Sequence, residues 1–242
     1  MTGRTSRVTV VDDHSLFAET MAIALRGQAF QVQCAVPDST TTFAALARTV
    51  VQSSPSIVLL DLDLGVVGDV MRLVAALAGN GVSVVVVTGS TDRVRHGEAL
   101  ANGARAVVPK TAPFAEIVGT ADRLRNGLPA MSRADREALL RTYRADADSQ
   151  NELRQRFHLM TRREAEVLAR LMAGEQVTEI AKARFVSEST VRTQVKSILA
   201  KLQVSSQLTA VGLAHRVGWQ PPQPDTREAP PRPTGRGLLA TG

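Results

Sequence analysis

The chain has 242 residues, 44% of them hydrophobic, 21% charged and only 3% aromatic, a globular composition long enough for two domains with aliphatic cores. No run approaches the roughly 18 apolar residues of a bilayer span, so no membrane partner is expected. A single cysteine, Cys34, excludes an intrachain disulfide. With an opening MTGRTSR that leads into a strand and has no signal-peptide core, this suits a cytoplasmic location.

The net charge of +6 is unevenly placed. Residues 1–127 balance 11 basic against 11 acidic side chains, whereas residues 152–218 carry 11 basic and 6 acidic. A local excess of that kind is an electrostatic footprint for nucleic acid.

Residues 7–127 alternate strand and helix patterns five times. Short apolar, mostly β-branched runs predict strands at Arg7–Asp12, Phe30–Cys34, Ile57–Asp61, Ser83–Thr88 and Ala106–Pro109. Helices are expected between them near 14–26, 39–52, 67–78 and 92–102, with a last one at 113–126. Asp38 or Ser39 would cap the second helix, Pro113 would open the fifth, and Gly127 would close it. Five such units imply an α/β fold, a parallel sheet wound with helices on both faces.

Residues 128–151 read as a linker containing one polar helix, capped by Ser132 and running Ala134–Tyr143. Residues 152–218 read as a small all-α domain of four helices. Thr161-Arg-Arg-Glu164 is a capping box, Gly174 a stop, Thr178 a cap for a short helix, and Ser187 a cap for a longer one to Leu202. A last helix is expected over Ser206–Val217. Two helices joined by a tight turn, the second longer and basic, form the helix-turn-helix arrangement. Residues 219–242 hold more than half of the chain's prolines and are expected to be disordered.

Chemistry concentrates at strand ends. Asp12 and Asp13 end the first apolar run, Asp61 the third, and Lys110 follows the fifth. The carboxyl ends of strands are where an open α/β sheet places its ligand site. Several carboxylates with one ammonium suit a hard divalent cation together with a phosphoryl group; the plainer alternative is a set of unrelated strand caps. His14 reads as the first residue of a helix rather than a metal ligand, and Cys34 as a small core residue.

On the helix Glu188–Leu202, Val191, Val195, Ile198, Leu199 and Leu202 form the inner stripe. Arg192, Thr193 and Lys196 share the opposite face, where arginine can bond guanine and lysine either base or phosphate. Thr190 and Gln194 flank that face and would reach phosphates.

With these residues in view, the chain resembles a two-component response regulator of the NarL/FixJ type, a receiver domain (1–127) followed by a LuxR-type helix-turn-helix (152–218). The receiver motifs are VVDDHSLF, IVLLDLDLG, VVVVTGS and GARAVVPKTAP. The second domain matches through LTRREAEVLARLMAGEQVTEIAKARFVSESTVRTQVKSILAKLQV, with Leu159-Met160 in place of the usual single leucine.

The resemblance implies a flavodoxin-like receiver in which Asp61 is the phosphoacceptor. Mg²⁺ would be held by Asp12, Asp13, Asp61 and the backbone carbonyl of Asp63, and Thr88 and Lys110 would be the switch residues. It further implies a sensor histidine kinase and double-stranded DNA as partners, and a homodimer formed through the last helix, whose stripe is Leu208, Val211, Ala214 and Val217. The same resemblance puts DNA contacts at Arg192, Thr193 and Lys196. Such a protein is a transcription regulator and not an enzyme.

Three features depart from the pattern. Leu64-Gly65-Val66 replaces a Met-Pro-Gly-like turn, Val107 occupies the aromatic switch position, and Gln194 stands where histidine is frequent. The loop and Val107 motivate an alternative in which the receiver controls the DNA-binding domain without phosphorylation. A remoter alternative is a haloacid-dehalogenase-like phosphatase built on Asp61-Leu-Asp63. Against it, the Asp12-Asp13 pair precedes that motif and no cap domain fits.

Overall fold

A computed structural model of the chain describes residues 6–65 and 70–221. Two compact units meet at Asp148 and Ser149. The start of the predicted third helix and all but the first three residues of the Pro-rich tail lie outside the described residues.

The first unit alternates β1 (Arg7–Val11), α1 (Ser15–Arg26), β2 (Gln31–Ala35), α2 (Phe43–Gln52), β3 (Ile57–Leu60), α3 (Val70–Gly79), β4 (Ser83–Thr88), α4 (Arg93–Ala101), β5 (Ala106–Pro109) and α5 (Phe114–Arg125). All strand pairs are parallel, in the order β2-β1-β3-β4-β5. Strand residues alternate between two cores, as a period of two requires. Val58, Leu60, Val84 and Val86 meet α2, α3 and α4 on one face. Val8, Val10, Ile57, Leu59, Val85 and Val87 meet α1 and α5 on the other. This is the expected doubly wound receiver fold.

Local chemistry sets the boundaries, and some differ from expectation. The cap of α2 is Thr42, whose hydroxyl accepts from the Ala45 N–H; Asp38 instead folds a turn by accepting from Thr40 and Thr41. Gly127 follows α5 at φ +71°, the left-handed conformation that glycine adopts without a Cβ penalty. Cys34 is exposed rather than in the core, because β2 is an edge strand and mostly open to solvent.

The largest correction concerns the expected linker. Ser132 caps a helix as anticipated, donating its hydroxyl to Asp135 and accepting the Asp135 N–H. That helix, α6, runs Arg133–His158, 26 residues instead of ten. Its sequence is polar and charge-balanced, held in part by i,i+4 pairs such as Arg133–Glu137. Three apolar residues anchor it: Leu139 is buried in the first unit's core, Leu153 and Phe157 in the second's.

The second unit contains the end of α6, then α7 (Arg162–Met172), α8 (Val177–Ala183), α9 (Glu188–Leu202) and α10 (Gln207–Arg216). The Thr161–Glu164 capping box forms, and Gly174 at φ +85° follows the end of α7. Thr178 does not cap α8; Gln176 takes that place, its backbone N–H donating to the Glu179 carboxylate at 2.7 Å. Ser187 and Ser206 cap α9 and α10 through the N–H groups of Thr190 and Thr209. Val191, Ile198 and Leu202 are fully buried with Leu168 and Ile180, which fixes the inner face of α9.

Candidate functional site

β1 and β3 are adjacent strands, so Asp12 and Asp61, each following the last residue of its strand, become neighbours. Both are buried, and the Lys110 ammonium sits between them, 2.7 Å from Asp12 Oδ2 and 2.8 Å from Asp61 Oδ2. Asp12 Oδ1 accepts the His14 N–H, and Asp61 Oδ1 accepts the Asp63 N–H. Burial works against the Lys110 charge, yet hydrogen bonds to Asp12 and then Asp61 outweigh it and hold its pKa above the usual lysine value. The ammonium also lies 5.0 Å from the Phe17 ring centroid, a cation–π contact not anticipated from sequence.

Asp13 completes the cluster with an oxygen, Oδ1, that is buried and accepts no hydrogen bond. His14 Nδ1 approaches it to 2.7 Å without hydrogen-bond alignment, and the imidazole itself is exposed. His14 is the N-cap position of α1 rather than its first helical residue. Ligand atoms of Asp12, Asp13, His14 and Asp61 all lie within 4.8 Å of one another. Three carboxylates against one ammonium leave an excess of about two negative charges, and an orphaned carboxylate oxygen marks where a cation would add most. The carboxylate oxygens form a hard donor set, which fits a cation such as Mg²⁺.

Thr88, last in β4, is buried; its hydroxyl accepts the Ser90 N–H and points toward Asp63, 3.5 Å from Oδ2. Asp63 in turn pairs with Arg95 of α4 at 2.8 Å, and Arg95 also donates to the Leu62 carbonyl. Nothing local in the sequence links Arg95 to a residue 32 positions earlier. Val107 is half-buried and packs against the α3–α4 side of the core.

In the second unit Arg192, Thr193 and Lys196 are exposed together on α9, opposite Val191, Ile198 and Leu202. Arg192 pairs with Glu188 one turn earlier, and the Thr193 hydroxyl donates to the Ser189 carbonyl. Thr190 is exposed, its hydroxyl against that of Ser187. Gln194 differs from its neighbours: it is half-buried and its side-chain oxygen accepts from Arg184 at 3.1 Å. The base of the helix is pinned by Glu164, which accepts from Ser197, Lys201 and the Thr161 N–H, each at 2.6 Å. Burial alone would raise the Glu164 pKa. Hydrogen bonds from Lys201, Ser197 and Thr161 prevail and take it down to about 2.

Residues 8–122 match the model of the response regulator receiver domain, and residues 158–214 match that of the bacterial regulatory proteins of the luxR family. The chain is a transcriptional response regulator. Among relatives, the transcriptional regulatory protein YhcZ of Bacillus subtilis (strain 168) is 27% identical over 84% of this chain and 92% of its own. The transcriptional regulatory protein LiaR of the same organism is 26% identical over 87% and 97%. The oxygen regulatory protein NreC of Staphylococcus carnosus (strain TM300) is 24% identical over 83% and 93%.

Response regulators of this type are DNA-binding proteins and not enzymes, which removes the phosphatase reading. No described helix of the regulator is long and apolar enough to cross a membrane. Its receiver brings together every strand-end residue singled out in the sequence: Asp12, Asp61 and Lys110 in contact, with Asp13, Thr88 and Asp63 alongside.

Proposed function

We propose that the regulator takes a phosphoryl group on Asp61 from a sensor histidine kinase and thereby controls DNA binding by its second domain. The observation that carries this reading is the Lys110 ammonium shared by Asp12 and Asp61 beside the orphaned Asp13 oxygen. Asp13, Asp61 and the Asp63 carbonyl would hold Mg²⁺ directly, and Asp12 would do so through water. Bound there, the ion neutralises charge on the incoming phosphoryl oxygens. Asp61 supplies the attacking carboxylate oxygen, and Lys110 is placed to follow the new negative charge. Thr88 would turn from Asp63 toward the phosphoryl group, altering the contacts of β4 and α4.

In the second domain, α9 would enter the major groove. Arg192, Thr193 and Lys196 would meet base edges, with Thr190 and Gln194 on phosphates. α10 supports a homodimer through Leu208, which is exposed, while Ala214 and Val217 of the same stripe are buried in the domain's own core. A kinase-fed receiver acting on promoter DNA is a cytoplasmic protein.

The phosphorylation-independent alternative keeps one specific support: Val107 supplies no aromatic ring to follow the Thr88 hydroxyl. Incubation with acetyl phosphate and Mg²⁺ followed by intact-mass measurement separates the two. One phosphoryl increment on the wild type and none on Asp61→Asn is the expected result. No increment on the wild type, with either acetyl phosphate or the cognate kinase, favours the alternative.

A further inference from the structure

Arg184 is the residue after α8, just before the turn of the helix-turn-helix, and its side chain is only 17% exposed. Its guanidinium forks. One nitrogen donates to Gln194 Oε1 on α9 at 3.1 Å, the other lies 3.3 Å from Glu166 Oε2 on α7. A guanidinium has donors and no acceptor, so chemistry alone requires the oxygen end of the Gln194 amide to face Arg184. The nitrogen end then points away, and among the described residues it has no protein partner.

The next residue, Phe185, is at φ +53° and fully exposed, so the turn holds Arg184 inward while its neighbour faces out. Glu166 is placed to absorb the positive charge of Arg184.

We propose that Arg184 is a positioning residue for DNA recognition: it fixes Gln194 as a donor-only group whose amide N–H bonds a phosphate oxygen flanking the site. This rests on α9 being the recognition helix. Three consequences separate it from simpler readings. Gln194 cannot read adenine, which needs both ends of the amide. Arg184, with its charge against Glu166, does not itself neutralise a phosphate. The effect of Arg184 on DNA passes through Gln194.

The test uses the full-length protein and a duplex selected by it from random oligonucleotides. Affinity is measured across a salt series for wild type, Gln194→Met, Arg184→Gln and the double variant. Arg192→Ala/Thr193→Ala/Lys196→Ala serves as the control on the helix. Each single change is expected to weaken binding about tenfold, the worth of one hydrogen bond to a charged group. The double variant should be no weaker than Gln194→Met, the selected motif should not change, and the slope of log affinity against log salt should stay that of wild type.

A slope reduced by about 0.9 in Arg184→Gln, or losses that multiply in the double variant, would make Arg184 a direct phosphate contact and overturn the proposal. So would undiminished binding by Gln194→Met. Should Arg184→Gln not fold, Arg184→Lys keeps the charge and removes the fork, and it should match Gln194→Met; wild-type affinity would count against the proposal. If the triple variant binds as wild type, the reading of α9 fails and takes this inference with it. If only the triple variant weakens, this inference alone fails.

Discussion

Gly97 of α4 lies directly against the Leu139 carbonyl of α6: a Cβ at position 97 would stand 2.3 Å from that oxygen and 2.6 Å from the Tyr143 Cβ. The two helices meet backbone to backbone, with Arg136 of α6 donating to the Leu100 and Ala104 carbonyls at the end of α4. The first half of α6 is therefore part of the receiver.

Gly97→Ala gains about 1 kcal/mol of helix propensity but cannot fit without moving backbone. Net destabilisation of about 1–3 kcal/mol is expected, read as a lower urea midpoint of the first transition. A gain in stability would show that α6 does not pack on α4 in solution.

The orphaned Asp13 oxygen gives a prediction of unusual sign. Without divalent cation, Asp13→Asn relieves repulsion among three carboxylates and should raise stability, by about 1 kcal/mol. The variant should also lose most of the stabilisation that Mg²⁺ gives the wild type, which grows with the ratio of free ion to dissociation constant. Thermal melts in chelator and in a Mg²⁺ series measure both; equal Mg²⁺ response in the two proteins would remove Asp13 from the metal site.

Glu164 makes the second domain acid-sensitive. Its carboxylate is held down to about 2 from 4.5, so the charged form is the one that folding favours. A depressed carboxylate contributes stability that is fully present above the unfolded value near 4.5 and is lost as pH falls toward 2. The contribution is about 2–3 kcal/mol after allowance for residual solvation. Glu164→Gln should destabilise the domain at pH 7, and the difference from wild type should shrink steadily between pH 4.5 and 2.5. A difference independent of pH in denaturant titrations would mean that the hydrogen bonds matter without the charge.

Arg192 and Lys196 should separate by their salt response. Arg192→Ala is expected to cost about 1–3 kcal/mol and to relax one position of each half-site, as loss of a bidentate base contact does. If Lys196 contacts only phosphate, Lys196→Ala should weaken all sequences about equally and lower the salt slope by about 0.9. Selection from random duplexes, repeated with each variant, measures the difference; an unchanged motif with Arg192→Ala removes it from base reading.

Five strand–helix units, the strand-end positions of Asp12, Asp13, Asp61 and Lys110, and the helix caps Ser132, Thr161 and Ser187 are legible in the sequence alone. Each of these is a short-range property, readable from a few neighbouring residues: apolar periodicity, a hydroxyl before a helix, a charge after a β-branched run. Where cap-forming residues lie a few positions apart, as Asp38 and Thr42 or Gln176 and Thr178 do, composition alone does not say which one ends the extended segment: Asp38 folds a turn with Thr40 and Thr41, and Thr42 caps α2. The length of α6 was hidden for a related reason: its three anchoring apolar residues serve two different cores and make no continuous stripe. Pairs that join distant elements are not legible in the sequence: Lys110 with both Asp12 and Asp61, Arg95 with Asp63, Arg184 with Gln194, and Gly97 with Leu139. Packing chooses those partners, since many residues of the right chemistry exist along the chain and strand order and helix contact alone bring a particular two into contact.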